Sequence, residues 1–265
     1  MIKNTLLLIV SILIAGCGQE KKTSLITDRG LEKAVRIALG KKSGEITVQD
    51  LASITEIHST NCNTIASLEG IEKMVNLEVA AFPCNKIIDI TPLNSLSKVR
   101  VLDLNSNKQL SDISKLSNLR NLEELFLSEN SISDVAPLGN LKKLRKLWID
   151  RNDVVDISML EGLESLEVLI AYWNEIEKLP DFRKFKKLTK VDLHNNKISD
   201  SSELETLKKI VYVNLQANSI HNPNLFIPIG KAEFINLSQN PIDCSKISTT
   251  HDSLIAVGVM QIDCK

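Results

Sequence analysis

Charge of one sign, catalytic motifs and metal-ligand spacing are all missing from this chain, and each gap removes a class of function. The 32 Lys and Arg residues offset 33 Asp and Glu, leaving a formal net charge of −1 at pH 7. Binding to a phosphate backbone draws its affinity from clustered cations, so the balance argues against a nucleic-acid partner. Two local basic stretches exist, Lys142-Lys143-Leu144-Arg145-Lys146 and Arg183-Lys184-Phe185-Lys186-Lys187. Both lead into strand segments and read as solvated surface. GxSxG, HExxH, P-loop and GxGxxG motifs are absent. Ser95-Leu96-Ser97-Lys98 matches SxxK in isolation, without the SDN and KTG companions that such chemistry requires. The chain is therefore expected not to be an enzyme. No CxxC pair occurs and the four His residues are dispersed, which points away from zinc, and no cofactor is expected. No Pro/Gly/Ser-rich linker follows Ser24, so one folded domain is expected. Aromatic residues make up only 4% of the chain, which gives weight to where they fall.

What the chain does have is a ruler. Asn85, Asn107, Asn130, Asn152, Asn174, Asn196, Asn218 and Asn240 follow one another at intervals of 22 or 23 residues. A fixed period of this length marks a solenoid. The copy Leu122-Glu-Glu-Leu125-Phe-Leu127-Ser-Glu-Asn130-Ser-Ile132 sets the frame: apolar residues at positions 1, 4, 6 and 11, with Asn at position 9. Nine copies obey it, from a degenerate first one (Ile54, Ile57, Ser59, Cys62, Ile65) to Ala232, Ile235, Leu237, Asn240 and Ile242. The first and third carry one extra residue before position 11. Positions 4 and 6 alternate with polar neighbours, which is the period of a strand. One such strand cannot bury its apolar side alone, whereas stacked copies build a continuous aliphatic ladder. The turn after each strand leaves backbone groups inside the coil, and a buried Asn side chain has the donors and acceptor to satisfy them. Between strands, Asp-Ile/Val-x-x-Leu recurs at Asp89, Asp112, Asp134 and Asp156, a length suited to a turn of 3₁₀ helix.

This pattern resembles leucine-rich repeats, and among them the bacterial internalin-like class with repeats of about 22 residues. The resemblance implies an α/β solenoid: a horseshoe with parallel strands on its concave face, short 3₁₀ turns on its convex face and a helical N-terminal cap. Residues 27–50 fit that cap, 51–243 the nine repeats and 244–265 a C-terminal cap. In the first cap, Asp28 is placed to N-cap a helix whose apolar stripe is Leu31, Ala34, Val35 and Ala38, and Gly40 ends it. Thr47 opens a second short helical segment.

Residues 1–16 read as an export signal. Lys3 precedes an apolar run, Leu6 to Ile14, that is too short to span a bilayer as a mature helix. It ends in Ile14-Ala15-Gly16-Cys17, which resembles a bacterial lipobox and implies a lipidated Cys17 followed by a flexible tether over 17–26. Gly18, rather than Asp, follows it, which implies the outer membrane in a cell that has one. The expected location is the bacterial cell envelope, with the chain held to the membrane by its lipid. An exported chain permits disulfides. Cys244 and Cys264 are candidates for a bridge closing a 20-residue loop, worth ~3 kcal/mol by chain entropy. Cys62 and Cys84 fall in adjacent repeats, but the frame offsets them by one position, and a bridge demands specific geometry; either state is open for them.

The register also assigns faces. Position 5 reads His58, Ala81, Asp103, Phe126, Trp148, Ile170, Asp192, Asn214, Asn236 along the stack. Phe126, Trp148 and Ile170 are expected to form an exposed apolar stripe, flanked by Tyr172 and Trp173 at positions 7 and 8 and by Tyr212 and Phe234 at position 3. Asp150, Arg151, Asp192 and His194 are expected as its polar rim. Both Trp and both Tyr residues fall on this one face. Such side chains anchor protein interfaces, and internalin-like proteins bind proteins through this face. The expected function is non-enzymatic protein binding by a membrane-anchored monomer. An assembly role in the envelope and binding of carbohydrate or peptidoglycan are the alternatives.

Overall fold

A computed structural model of the chain describes residues 24–59, 61–206, 209–221, 232–243, 245 and 260–263. The leader, the lipobox Cys17 and both members of the Cys244–Cys264 pair lie outside the described residues.

The strands are short because each repeat offers only one alternating segment. They are β1 (Glu56–His58), β2 (Val79–Ala81), β3 (Val101–Asp103), β4 (Glu124–Phe126), β5 (Lys146–Trp148), β6 (Val168–Ile170), β7 (Lys190–Asp192), β8 (Tyr212–Asn214) and β9 (Phe234–Asn236). They stack in chain order as one parallel sheet. The register pairs equal repeat positions throughout, as in Phe126 with Trp148, Trp148 with Ile170 and Ile170 with Asp192. A tenth strand, β10 (Met260–Gln261), extends the sheet parallel to β9. It lies in the segment expected only to cap the coil; Met260 and Ile262 continue the aliphatic frame at positions 4 and 6, but 25 residues after Ile235 and Leu237, off the 22-residue spacing. The position-4 residues between β1 and β9 are fully buried, as are those at position 6 from Phe82 onward, in one continuous core.

The Asn ladder closes the turns. Each ladder Asn is at most 8% exposed. Asn152 shows the pattern: its Nδ2 donates to the carbonyls of Leu127 and Ile149, at 2.9 and 3.1 Å, and its Oδ1 accepts from the Ile132 N–H at 2.9 Å. Asn107, Asn174, Asn196, Asn218 and Asn240 make the same three links, two to the repeat before and one within their own. Asn130 is the fault in the ladder. Its Nδ2 is bonded to Leu104 and Leu127 carbonyls, but no protein donor reaches its buried Oδ1. The cause lies one repeat earlier, where the extra residue sends the Leu110 N–H to the Asn107 carbonyl instead.

On the convex side the Asp-Ile/Val-x-x-Leu segments form 3₁₀ turns, including Thr91–Ser95, Ser114–Asn118, Ala136–Leu138 and Ser158–Gly162. The Asp of each accepts a backbone N–H two residues on, at 2.7–2.8 Å, which starts the turn.

At the N-terminal end, helix α1 (Arg29–Ala38) and helix α2 (Val48–Ser53) cover the first repeat. Leu31, Ala34 and Val35 are buried; Ala38, expected on the same stripe, is exposed, and Leu39 packs against the core in its place. Ordered packing starts before Thr27: Ile26 is buried and Leu25 packs against the core, inside the segment expected to be tether. Gly30 permits this docking, since a Cβ there would sit 2.3 Å from the Thr64 carbonyl oxygen. Asp28 rivets cap to coil. Its Oδ1 accepts from the N–H groups of Gly30 and Leu31, and its Oδ2 from those of Ala66 and Ser67. Burial pushes its pKa up, but these four donors outweigh burial and hold it below 3.8. A depressed carboxylate contributes stability above its unfolded pKa and loses it as pH falls through the folded one. Asp28→Asn keeps an acceptor for only one of the two donor pairs. It is expected to cost about 1–2 kcal/mol at pH 7, and the gap to wild type should narrow below pH 4, as read by denaturant midpoints at both pH values.

Cys62 and Cys84 are bonded to each other, with Cα atoms 4.9 Å apart. The offset inferred from the frame does not hold in space. In later repeats the left-handed residue directly precedes the Asn slot, but in the first it is Asn63, one past Cys62. The extra residue thus slides Cys62 back beside Cys84.

Candidate functional site: the concave face

The concave face carries three stacked ring pairs on neighbouring strands. Phe126 and Trp148 lie 4.7 Å apart at position 5, Tyr172 and His194 4.4 Å apart at position 7, and Tyr212 and Phe234 4.8 Å apart at position 3. Parallel strands sit about 4.8 Å from one another, so equal positions on adjacent repeats place flat rings at stacking distance. The pairs follow one another through six consecutive repeats, from Phe126 to Phe234, and shift sideways across the face as they go. Their members are half-buried. Lys190 Nζ lies over the Tyr212 ring, 4.7 Å from its centre. Lys146 pairs with Glu124 at 2.9 Å beside the first stack.

Three expectations are corrected here. Ile170 is only 5% exposed, so the apolar stripe stops at Trp148. Its side chain lies between Trp148 and Asp192 in the register, and the larger Trp148 ring stands beside it. Asp150 and Asp192 are 4% and 8% exposed and form the floor of the face, not its rim. Asp150 accepts from Ser128 Oγ. Asp192 accepts from the His194 backbone, lies 2.6 Å from His194 Nδ1 and 3.4 Å from the Tyr212 hydroxyl. His194, expected at the rim, is therefore fixed in the interior of the face by its Tyr172 stack and its carboxylate. Burial first, and then the Asp150 carboxylate, raises the Tyr172 pKa; burial and Asp192 do the same for Tyr212. Both phenols thus stay protonated as donors. Burial likewise raises the pKa of Asp103, whose bond from the Asn105 N–H only partly opposes it.

Trp173 and Arg151 lie at the edge of this surface, where Arg151 meets the Tyr172 hydroxyl. They occupy position 8, where every repeat from the second on takes a left-handed residue: φ is 55° at Arg151 and 52° at Trp173. Trp173 is 55% exposed. With Lys108, Glu129, Asn130 and Ser131 they line an open pocket of about 470 Å³ at the edge of the sheet. Lys108 and Ser131 were not singled out in the sequence, although the extra residue of the third repeat marks the place. A left-handed backbone is costly for a bulky residue and mild for Asn. Trp173→Asn, which copies the residue of the next repeat, is expected to hold or raise the melting temperature in a thermal unfolding scan. A large drop would mean that the indole supports the fold.

Among the described residues no group of three His, Cys, Asp or Glu side chains is placed to hold a metal ion, and no helix is long and apolar enough to cross a membrane.

Stacked parallel strands, convex 3₁₀ turns and a buried Asn ladder define a leucine-rich repeat solenoid. The family model for leucine-rich repeats (two copies) matches residues 120–162 and 164–206. No curated protein sequence matches the chain. Among solved structures it is similar to internalin C2 from Listeria monocytogenes, with 26% identity and a TM-score of 0.64 over 90% of this chain and 93% of that one. An internalin from the same organism aligns at 22% identity and TM-score 0.50, over 89% and 90% of the two chains. The leucine-rich repeat ectodomain of a plant membrane receptor kinase from Arabidopsis thaliana, solved in complex with Casparian strip integrity factor 2, aligns at 21% identity and TM-score 0.70, over 82% of this chain and 28% of that one. The chain is an internalin-like leucine-rich repeat protein. Its fold is one typical of protein–protein interaction domains, and its structural neighbours are typically non-enzymatic.

Proposed function

We propose that this chain is an exported, lipid-anchored protein that binds a protein partner, without catalysis, through its concave face. The observation that carries this reading is the run of three stacked ring pairs across six repeats of an open face. Large rigid side chains offer contact area at little entropic cost, and such groups dominate interface energetics. The buried carboxylates beneath them fix ring and hydroxyl positions before any partner arrives, which lowers the ordering cost of binding. The Cys62–Cys84 disulfide supports export, since such bonds persist in oxidising compartments. The lipobox-like Cys17 supports the anchor.

The test is capture. The full chain and its Trp148→Ala/Tyr172→Ala variant are immobilised after matching circular-dichroism spectra, then exposed to envelope extract and to host-surface protein. The expected result is a protein retained by the wild type and held about ten- to a hundredfold more weakly by the variant, as for loss of interface anchors. Equal retention by both would remove the concave face as the binding surface.

A further inference from the structure

We infer that the pocket at the sheet edge, lined by Lys108, Glu129, Asn130, Ser131, Arg151 and Trp173, is a binding site for an acidic saccharide. It adjoins the concave ring pairs through Arg151, which meets the Tyr172 hydroxyl, but does not depend on the protein-binding role proposed for them.

Two features of Trp173 find no repayment within the fold. Its indole is more than half exposed, and its backbone is held in a left-handed conformation that bulky residues avoid. Other repeats fill this position with Cys84, Ser106, Glu129, Arg151, Asn195, Ala217 or Gln239, none of them aromatic. Costs of this kind gather at ligand contacts. The pocket beside the indole follows from the ladder's fault. The extra residue in the third repeat diverts the Leu110 N–H and leaves the buried Asn130 Oδ1, behind the pocket, without a protein donor. Ser131 Oγ ties back to the Lys108 carbonyl, which holds that loop in place.

The lining sets the ligand class. An indole face is electron-rich, and the C–H face of a sugar ring is its natural partner, because the ring presents weakly positive hydrogens over a broad flat area. Two cations stand in the same pocket. Among the described residues Lys108 has no acidic partner, and Arg151 meets Glu129 only at 4.0 Å. Glu129 is itself engaged by Ser106 Oγ. The balance of Lys108, Arg151 and Glu129 is one net positive charge, suited to a ring bearing a single carboxylate, which Arg can bind through two parallel N–H bonds. Glu129 and Ser131 remain as partners for hydroxyls. A pocket of about 470 Å³ is within the range of small-ligand sites.

The chain has two Trp residues, so ¹⁵N-labelled full-length protein gives two indole N–H signals. Trp148→Phe and Trp173→Phe identify them. The probes are oligogalacturonate, a neutral glucose oligomer of equal length, and acetate. The expected result is a saturable shift of the Trp173 signal with oligogalacturonate, at least about tenfold weaker with the neutral oligomer and in Arg151→Gln, as for loss of a charge-assisted bond. An unmoved Trp173 signal would overturn the proposal. So would an equal response to acetate, which marks charge alone, or to the neutral oligomer. A shift confined to Trp148 would also overturn it and place sugar on the concave face instead. None of these outcomes bears on whether Trp148 and Tyr172 hold a protein.

Discussion

Replacing Asn152 by alanine is expected to destabilise the protein by about 2–4 kcal/mol, the largest effect of any single substitution considered. The side chain satisfies the Leu127 and Ile149 carbonyls and the Ile132 N–H, all inside the coil. Alanine orphans the buried Ile132 N–H, at roughly 1–3 kcal/mol, and removes one of two donors from each carbonyl, since Leu127 keeps Asn130 and Ile149 keeps Asn174. Water cannot replace the amide without opening the stack, because Val154 and Ile149 beside it are fully buried. Asn130 is the internal control. Its Oδ1 has no donor to lose, so Asn130→Ala leaves no N–H unpaired and should cost about 1–2 kcal/mol less. Urea unfolding of both variants, followed by far-ultraviolet circular dichroism, compares the two midpoints. Equal costs would mean that the ladder acts through packing alone.

Opening the Cys62–Cys84 bond is expected to cost about 3 kcal/mol. The bond closes a loop of sequence separation 22, for which chain entropy predicts that order of stabilisation. The loss should be local in its first effect. A solenoid's repeats contact only their neighbours, and this bond joins the first two, next to the Asp28 rivet between helical cap and coil. Hydrogen exchange of Cys62→Ser/Cys84→Ser should therefore show lost protection in β1 and β2 before β5 or β6. A uniform loss along the sheet would contradict a local role, and an unchanged midpoint in wild type with and without reductant would contradict the bond's contribution altogether.

Much of this architecture was legible in the chain because a repeat protein writes its structure with a period. Spacing alone placed every strand from β1 to β9, the buried Asn residues and the convex Asp-led turns, since these depend on contacts between equal positions of adjacent copies. The same period put both Trp and both Tyr on or beside one face. Features that break the period were not legible. β10 carries Met260 and Ile262 at frame positions 4 and 6 but sits 25 residues after its counterpart and lacks the ladder Asn, so its pairing with β9 reveals it. The Cys62–Cys84 bond depended on where the first repeat's extra residue was absorbed, a matter of backbone conformation at Asn63.

Burial on the open face was likewise decided only in three dimensions. Alternation says that Ile170, Asp150 and Asp192 point to the concave side, and they do, yet all three are covered. How deeply a side chain sits there depends on its length relative to those on the two flanking strands, 22 residues away in either direction. The rim pocket has the same origin. It joins residues from Lys108 to Trp173 across four repeats, in front of a vacant hydrogen-bond position created by one extra residue in the third. Sequence by itself determined the repeating frame, because that frame is set by backbone pairing and aliphatic burial. The tertiary structure decided which groups on the frame are exposed, paired or left over, because those outcomes rest on side-chain size and small register shifts between neighbours.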